Sequence, residues 1–299
     1  MIEVEALAKS YGTFPALRGV SFTVEAGEVL AVLGPNGAGK TTTVEILEGY
    51  RDRDGGTATV LGMDPAEGGT ELRRRVGIVL QETGADPYLT VTEILTRHAE
   101  YYPSPRAVGE VVELVGLAEK ADARVKALSG GQKRRLDVAL GLIGDPELLF
   151  LDEPTTGFDP AARRQAWEVV EGLQTLGKTV LLTTHYMDEA QALADRVLVV
   201  AAGMVIAEGP PESIGGRAEA PVEIRFALPD GVGPTDLPLE ATTDGPLAVV
   251  STDRPTSALA ALTSWAAERG IGELESLEVL RPSLEEIYLQ LVESVEDDR

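Results

Sequence analysis

The sequence predicts an α/β fold with a mostly parallel sheet, an added antiparallel layer, a helical subdomain and a second, small α+β domain. Apolar runs alternate with helical patterns, which is typical of parallel sheets, and four of these runs are continuously apolar. Continuous apolar runs are expected of strands that are covered on both faces. The four runs are Val29 to Leu33, Leu148 to Leu151, Val180 to Thr183 and Val197 to Val200.

The N-terminal residues and residues 88–126 follow different patterns. Ile2 to Leu7 and Val20 to Val24 alternate apolar and polar residues, which predicts an antiparallel layer. The segments TVTEILTRHAEYY and AVGEVVELVGL predict two helices separated by Pro103 and Pro105. We therefore expect a helical subdomain at about residues 84–130.

The C-terminal region has a composition of its own. Residues 221–299 contain 16 acidic residues, five arginines and no lysine, and the segment EGPPESIGGRAEAP before them has the Pro and Gly content of a boundary. We place that boundary near Gly215 and Gly216, which gives domains 1–216 and 217–299. In the tail we expect strands at 222–228, 247–251 and 274–280, and helices at 256–269 and 283–292. Ser283 and Glu286 form a capping-box pattern at the start of the last helix.

Composition excludes several classes of function. The formal net charge is −23, from 26 basic and 49 acidic residues, and it opposes binding to nucleic acid, because phosphate backbones bind basic surfaces. Cysteine is absent, which excludes disulfides and thiolate metal sites. The N-terminus does not read as a signal peptide. The uncharged stretch from Val197 to Ala207 is shorter than the roughly 20 residues that span a bilayer, so a membrane role requires a partner chain.

Residues 34–42 read GPNGAGKTT and lie between an apolar run and a helical pattern. This is Gly-x-x-x-x-Gly-Lys-Thr in a strand–loop–helix context, the pattern of a phosphate-binding loop. Its glycines let backbone N–H groups turn inward, and the helix presents its positive end to the same place. Lys40 can reach the β- and γ-phosphates, and the Thr41 hydroxyl can ligate Mg²⁺. The loop predicts a nucleoside triphosphate, but it does not choose between a kinase, a GTPase and a motor.

Residues 148–154 read LLFLDEP, an apolar run that ends in two carboxylates. At the carboxyl end of a buried parallel strand, such charges lie where ligands bind in open α/β sheets. Asp152 is then the natural partner of Mg²⁺, and Glu153 is the candidate to orient or deprotonate the attacking water. The alternative is a pair of surface acids at a strand end, which is disfavoured because the same chain contains a phosphate loop.

Residues 128–132 read LSGGQ and open a helix. One interpretation is an ordinary helix start with Ser129 as the N-cap. The other is a second anion site, in which a hydroxyl and backbone N–H groups at a helix N-terminus bind phosphate. The chain then offers two phosphate-type sites but only one phosphate-loop lysine. If both sites bind the same nucleotide, they could lie on different copies of the protein.

Taken in order, these motifs resemble those of the ATP-binding subunits of ABC transporters, over residues 2 to about 215. GPNGAGKTT matches the first nucleotide motif, LSGGQ the signature motif and LLFLDEP the second nucleotide motif. Gln81 matches the glutamine that contacts Mg²⁺, and Asp159 in TTGFDP matches the dimer-contact loop, although Phe158 stands where leucine is more usual. His185 in LLTTHYMDEA matches the switch histidine, and Tyr11 matches the aromatic residue that stacks on adenine.

The resemblance implies a site in which two copies pair head to tail around ATP and Mg²⁺. Its catalytic residues would be Lys40, Gln81, Glu153 and His185, and its metal ligands Thr41, Gln81 and Asp152. The nucleotide-binding residues would be Tyr11, Gly34, Pro35, Asn36, Gly37, Ala38, Gly39, Lys40, Thr41, Thr42, Ser129, Gly130, Gly131, Gln132 and Asp159.

The ending RPSLEEIYLQLVE and the segment TTHYMDEA look like those of daunorubicin-resistance-type exporter ATPases, which export drugs, lipids or polysaccharides. This implies a separate transmembrane permease, an ATP-bound homodimer of the ATPase subunits, and a peripheral, cytoplasmic location at the inner face of the membrane. The acidic tail would be a regulatory or dimer-stabilising appendage, or its last helix would simply pack on its own sheet.

Three alternatives remain at this point. A soluble ABC-type ATPase that acts on ribosomes or DNA is disfavoured by the net charge of −23 and by the single nucleotide domain. An importer ATPase is disfavoured by the tail. A module that binds but does not hydrolyse ATP is disfavoured by the intact set of Lys40, Asp152, Glu153 and His185.

Overall fold

The computed structural model describes residues 1–79 and 84–297, and the chain divides into two compact units. The first unit comprises Met1–Pro211 and the described residues from Val295 onward, and the second comprises Glu212–Ser294. The division lies a few residues before Gly215 and Gly216, where the sequence predicts a boundary. Within the described ranges, no helix is both long enough and apolar enough to span a bilayer.

In the described residues of the first unit, two sheets are surrounded by helices. Its strands are β1 (Ile2–Tyr11), β2 (Phe14–Val24), β3 (Val29–Leu33), β4 (Gly55–Val60), β5 (Val76–Val79), β6 (Leu148–Asp152), β7 (Thr179–Thr184), β8 (Arg196–Ala201) and β9 (Met204–Gly209). Its helices are α1 (Lys40–Leu47), α2 (Gly69–Arg75), α3 (Val91–Ala99), α4 (Val108–Leu114), α5 (Gly130–Leu142), α6 (Pro160–Thr175) and α7 (Met187–Leu193).

The larger sheet positions the phosphate loop beside the acidic strand end. Its order, in the described part of the chain, is β5-β6-β7-β3-β8-β9, and the pairs between β5 and β8 are parallel. All residues of β3 and β7 are buried, as are the first four of β6. Because β6, β7 and β3 are neighbours and run in parallel, their carboxyl ends meet at one edge of the sheet. The four continuous apolar runs therefore form strands, as the sequence predicts.

The smaller sheet is the predicted antiparallel layer. Its order is β2-β1-β4, and Ile2 pairs with Val24 on one side and with Val60 on the other. The buried residues of β1 and β2 join those of β3, β6 and α1 in one hydrophobic core. Alternation in β1 therefore reflects one face on this core and one face in water.

Residues 84–130 contain α3 and α4 with short 3-10 turns, and no strand lies among them. Thr90 caps α3: its hydroxyl accepts from the Glu93 N–H at 3.2 Å, and the Glu93 carboxylate accepts from the Thr90 N–H at 2.8 Å. The two helices match the two helical segments expected on either side of Pro103 and Pro105.

The second unit is a four-stranded antiparallel sheet with the helix α8 packed on it. Its strands are β10 (Val222–Ala227), β11 (Thr242–Asp244), β12 (Leu247–Thr252) and β13 (Glu278–Leu280), in the order β11-β12-β10-β13. Its helices are α8 (Pro255–Glu268) and α9 (Leu284–Asp297). The core of this unit includes Phe226 of β10 and Trp265 of α8. The capping box of α9 is confirmed, because the Ser283 hydroxyl accepts from the Glu286 N–H at 3.1 Å.

One strand prediction in the tail is wrong in its length. The predicted strand at 274–280 is reduced to β13, Glu278–Leu280. Ser276 has φ of 55°, a left-handed conformation that interrupts an extended chain. Leu274 is buried and packs into the core, while the carbonyl of Glu275 accepts from the Ala227 N–H at 2.8 Å. The left-handed turn at Ser276 thus separates the buried Leu274 from a short strand whose apolar residues Val279 and Leu280 are exposed.

Candidate functional site

The phosphate loop turns sharply from β3 into α1. A Cβ atom on Gly34 would lie 2.2 Å from the carbonyl oxygen of Val200, so only glycine fits beside β8. Gly37 and Gly39 have φ of 80° and 107°, a region that favours glycine. Glycine at these positions lets the loop wrap around the N-terminus of α1.

Lys40 is folded back onto this loop. Its ammonium group donates to the carbonyl oxygens of Gly34 at 2.8 Å and Pro35 at 3.2 Å, and its side chain is only 5% exposed. Burial lowers the pKa of Lys40, whereas the carboxylates of Glu153 and Asp152 act in the opposite direction. Lysine can donate three hydrogen bonds, and those to neutral carbonyls are weaker than those to a charged phosphate. The carbonyls therefore hold Lys40 in a position from which an anion can withdraw it.

The two carboxylates at the end of β6 have different partners. Oδ1 of Asp152 accepts from the Thr183 hydroxyl at 2.5 Å, and Oε2 of Glu153 accepts from the Thr156 hydroxyl at 3.0 Å. Glu153 has φ of 45°, which is strained for a residue with a side chain. This turn at the strand end lets both carboxylates approach the phosphate loop although they are adjacent in sequence.

Glu153 is also close to Lys40 and His185. Its Oε1 atom lies 3.9 Å from Nζ of Lys40 and 3.3 Å from Nδ1 of His185. The structure thus brings together three of the four predicted catalytic residues. The fourth, Gln81, lies outside the described residues.

An open pocket of about 190 Å³ lies over the phosphate loop. The Tyr11 side chain is at its edge, 42% exposed, with its hydroxyl 3.4 Å from that of Thr42 and the Arg51 guanidinium 5.2 Å from the ring centre. Phe14, which is 59% exposed, also lines the pocket and was not expected from the motifs. The pocket is lined by Tyr11, Phe14, Ala16, Asn36, Gly37, Gly39, Lys40, Thr41, Thr42 and Glu153.

Other predicted nucleotide-binding residues lie in a second pocket, of about 600 Å³. Ser129 caps α5: its hydroxyl accepts from the Gln132 N–H at 3.3 Å, and the Gln132 side chain accepts from the Ser129 N–H at 2.9 Å. Asp159 caps α6 through the N–H groups of Ala161 and Ala162, both at 2.9 Å. The lining of this second pocket includes Ser129, Gly130, Gly131, Gln132, Thr156, Gly157, Phe158 and Asp159.

Ser129 therefore does serve as a helix cap. This does not exclude anion binding, because the hydroxyl accepts a hydrogen bond as a cap and keeps its own O–H free to donate. Gly130 and Gly131 leave the backbone at the start of α5 uncovered.

Arg134, which is not among the predicted site residues, binds the backbone around Glu153. It is 7% exposed, and its guanidinium donates to the carbonyl of Asp152 at 2.8 Å and to that of Pro154 at 3.0 Å. It thus ties α5 to the chain on both sides of Glu153. One sequence signal indicates its burial: Arg134 lies four positions before the apolar Val138, and helix positions four apart share a face.

Glu48 is a second buried charge near the site. It is 4% exposed at the end of α1. Burial raises the pKa of Glu48 to about 8, and the negative charges of Asp152 and Glu45 add to the effect. Glu48 therefore holds a proton at neutral pH beneath the acidic strand end.

A larger cavity, of about 750 Å³, lies in the second unit beside β12. It is lined mainly by residues 234–242 and contains one carboxylate, Glu240. The predicted phosphate-loop residues line the smaller pocket in the first unit and not this cavity.

Comparisons with known proteins show the family to which this chain belongs. Residues 17–156 match the ABC transporter family. Over 100% of this chain and 94% of the relative, the sequence is 38% identical to the daunorubicin/doxorubicin resistance ATP-binding protein of Streptomyces peucetius. The chain belongs to the ABC transporter ATP-binding proteins.

Further matches support the assignment of this chain to the ABC transporter ATP-binding proteins. Residues 222–283 match the C-terminal domain described for ABC transporter domain-containing protein-like chains. The sequence is 47% identical over 218 residues to Nod factor export ATP-binding protein I of Rhizobium meliloti strain 1021. That match covers 71% of this chain and 65% of the relative, which is less than two thirds of the relative's length.

Solved structures confirm the predicted ABC ATPase fold. One is an ATP-binding cassette of an ABC transporter in its ADP conformation, with a TM-score of 0.64 and 27% identity over 71% of this chain and 91% of that chain. Another, from Clostridium perfringens, is part of an ABC transporter complex, with a TM-score of 0.63 and 30% identity over 71% of this chain and 88% of that chain.

Proposed function

We propose that this ABC ATPase hydrolyses ATP to power an exporter, acting through a separate transmembrane permease. The observation that carries the proposal is the full-length similarity to a drug-resistance ATP-binding protein. A second relative is named as an export protein. The names of these two relatives favour an exporter over an importer. They agree with the resemblance of the C-terminal segment to daunorubicin-resistance-type exporter ATPases.

The separation of the two pockets supports a dimeric mechanism. Among the residues that the structure describes, the pocket over the phosphate loop and the pocket beside Ser129 share no lining residue. A head-to-tail dimer would bring the Ser129 helix of one copy against the phosphate loop of the other, so that both copies bind each ATP. We propose that the ATP-bound state is a homodimer of this kind.

The chemistry of the side chains at the sheet edge supports a proposal for a Mg²⁺ site. Asp152 uses one carboxylate oxygen for Thr183, which leaves the other for a cation or its water shell, and the Thr41 hydroxyl is exposed beside the loop. We propose that Thr41 and Asp152, with Gln81 from the family resemblance, hold the ion. When bound, Mg²⁺ supplies positive charge that stabilises charge on the phosphate oxygens.

The remaining residues of the site have distinct tasks. Lys40 would leave the carbonyls of Gly34 and Pro35 and donate to the β- and γ-phosphates. Glu153 would accept a proton from the attacking water, or orient it, and His185 would contact the γ-phosphate. Tyr11 would stack on the adenine, with Phe14 as a second aromatic wall.

The other regions receive roles from the family. We propose that residues 84–130 hold the docking site for the permease at the inner face of the membrane, and that residues 217–299 form an accessory domain. This arrangement gives the chain a peripheral location on the cytoplasmic side. Purification from membranes tests it, because a co-purifying polytopic membrane protein supports the proposal, whereas ribosomal material or DNA contradicts it.

The shared pocket can be tested by mixing two inactive variants. Lys40→Ala damages the phosphate loop, and Ser129→Arg blocks the opposing helix. In a mixed dimer, one pocket contains both substitutions and the other contains neither. If the pockets act independently, an equal mixture should regain about a quarter of the wild-type ATPase rate, because half of the dimers are mixed.

A matched mixture provides the control. Lys40→Ala and Glu153→Gln affect residues of the same half-site, so both pockets of their mixed dimer stay damaged, and no activity should return. Failure of the first mixture to recover activity contradicts the shared pocket. Recovery in both mixtures would point to an effect other than complementation.

A further inference from the structure

The His185 imidazole packs on a neighbouring aromatic ring. Its Nδ1 atom is buried and, among the described residues, has no hydrogen-bond partner, although Oε1 of Glu153 lies 3.3 Å away. The imidazole ring packs on the ring of Tyr186, with ring centres 4.1 Å apart and planes tilted by 40°. The direction in which the imidazole points therefore depends on where Tyr186 lies.

Tyr186 is in turn held by Arg163. The Arg163 guanidinium carbon lies 4.1 Å from the centre of the Tyr186 ring, within the range of a cation–π contact. The same guanidinium forms an ion pair with Asp188 at 2.9 Å. Two contacts thus fix one side chain of α6 against the segment that carries His185.

Arg163 lies in the first turn of α6, directly after the dimer-contact loop. Its backbone N–H donates to the carbonyl of Asp159 at 3.0 Å. Any shift of Asp159 that moves this turn of helix therefore moves the guanidinium on which Tyr186 packs.

A buried carboxylate keeps the same two helices together. Glu189 of α7 is fully buried, and its Oε1 atom accepts from the Thr155 hydroxyl at 2.8 Å and from the indole N–H of Trp167 at 3.3 Å. Trp167 lies four residues after Arg163, so both are on the face of α6 that meets α7. The contact between Arg163 and Tyr186 thus belongs to a packed interface and is not an isolated surface contact.

We propose that Tyr186 and Arg163 are positioning residues for His185, and that they transmit the position of the Asp159 loop to the imidazole. This rests on the role proposed above for His185 in ATP hydrolysis. Tyr186 packs on the imidazole, and Arg163 fixes the tyrosine ring to the turn that begins at Asp159. Contact between Asp159 and a second copy would thereby be coupled to the orientation of His185.

Kinetics of four variants test the proposal. Tyr186→Leu and Arg163→Met should lower kcat about tenfold while KM for MgATP changes less than about twofold, because orientation of a catalytic group is lost and ground-state binding is not. Tyr186→Phe retains the aromatic ring, so its kcat should stay near that of the wild type. Asp188→Asn removes the ion pair but retains the stacked guanidinium, so its kcat should stay near that of the wild type.

A measurement independent of activity uses the two histidines of the chain, His98 and His185. Protons that pack on an aromatic ring experience its ring current. In histidine-labelled protein, Tyr186→Leu should shift the His185 ring resonances, and Tyr186→Phe should preserve them. His98 packs edge-on against Tyr101, with ring centres 5.9 Å apart, and should not respond to either change.

The outcomes separate this inference from the proposed function. If the wild type hydrolyses ATP and Tyr186→Leu retains its kcat, the positioning role is wrong and the proposed function stands. If Tyr186→Leu leaves the His185 resonances unchanged, the contact itself is absent and the inference fails. A wild type that forms no ATP-bound dimer and hydrolyses no ATP contradicts the proposed function, whatever the resonances show.

Discussion

Nζ of Lys40 lies 3.9 Å from Oε1 of Glu153, in the part of the site where the phosphates of a nucleotide are expected. The Glu153 side chain is 16% exposed and that of Lys40 is 5% exposed, so little water screens this pair. The carboxylate therefore both attracts the lysine that should bind phosphate and repels the phosphate itself. Binding and hydrolysis place opposite demands on Glu153.

Glu153→Gln should bind ATP more tightly than the wild type while losing turnover. Removing the negative charge ends both the competition for Lys40 and the repulsion of the phosphates, and about 1 kcal/mol of relief corresponds to roughly fivefold in Kd. Loss of the general base should lower kcat by about a hundredfold or more. Calorimetric titration with MgATP measures Kd, and phosphate release measures kcat. A solvent-exposed control, Glu168→Gln, should change neither, and weaker ATP binding by Glu153→Gln would contradict the argument.

The open pocket predicts that Tyr11 and Phe14 both contribute to binding of the base. Stacking of a base on an aromatic ring contributes about 1–3 kcal/mol. Tyr11→Leu should therefore weaken MgATP binding by about fivefold or more, whereas Tyr11→Phe should bind normally. Phe14→Leu should weaken binding in the same direction, since Phe14 is 59% exposed in the pocket. A Kd for MgATP that is unchanged in both leucine variants would contradict stacking of the adenine on Tyr11 and Phe14.

Sequence reasoning predicts the parts of the fold that are encoded locally. Strands β3, β6, β7 and β8 are continuous apolar runs because each is covered on both faces, and that cause is visible in the sequence itself. The phosphate loop is predictable because its spacing follows from the size of a phosphate and the start of a helix.

Contacts between distant segments could not be predicted in this way. Nothing in the sequence near Tyr186 indicates that Arg163 packs on its ring, and nothing near Asp152 indicates the Thr183 hydroxyl. The prediction for segment 274–280 fails for a related reason, since Leu274 packs into the core and the left-handed turn at Ser276 shortens the strand. A side chain that acts through tertiary packing has a residue type that suits several environments, so the local sequence does not indicate its partner.

Arg134 should contribute to stability through the carbonyls that it binds. Arg134→Met removes the donors to the carbonyls of Asp152 and Pro154, and each buried group left unpaired costs about 1–3 kcal/mol. Its neighbour Arg135 is partly exposed and donates to the carbonyl of Gly116 at 2.9 Å, so Arg135→Met should cost less.

Urea unfolding followed by Trp167 fluorescence measures this difference. The chain has two tryptophans, one in each unit, so a Trp265→Phe background leaves Trp167 as the reporter of the first unit. Equal losses for Arg134→Met and Arg135→Met would show that the buried carbonyls find other partners. A matching fall in kcat for Arg134→Met is expected, because Glu153 lies between the two carbonyls.

Glu48 should make the first unit less stable as the pH rises. Its folded-state pKa is about 8, above the ordinary value near 4.5, so the folded state holds a proton that the unfolded state releases. Stability should therefore fall between about pH 4.5 and pH 8, and the effect of this group should level off above its folded pKa. Glu48→Gln cannot ionise and should flatten this part of the pH profile.

Urea unfolding at pH 6 and pH 8.5, in the Trp265→Phe background, checks the sign. The free energy of unfolding of the Glu48→Gln variant should exceed that of its parent by the larger amount at pH 8.5. The exposed Glu71→Gln is the matched control and should leave the slope as it is. A pH slope unchanged by Glu48→Gln would show that Glu48 is ionised in the folded protein.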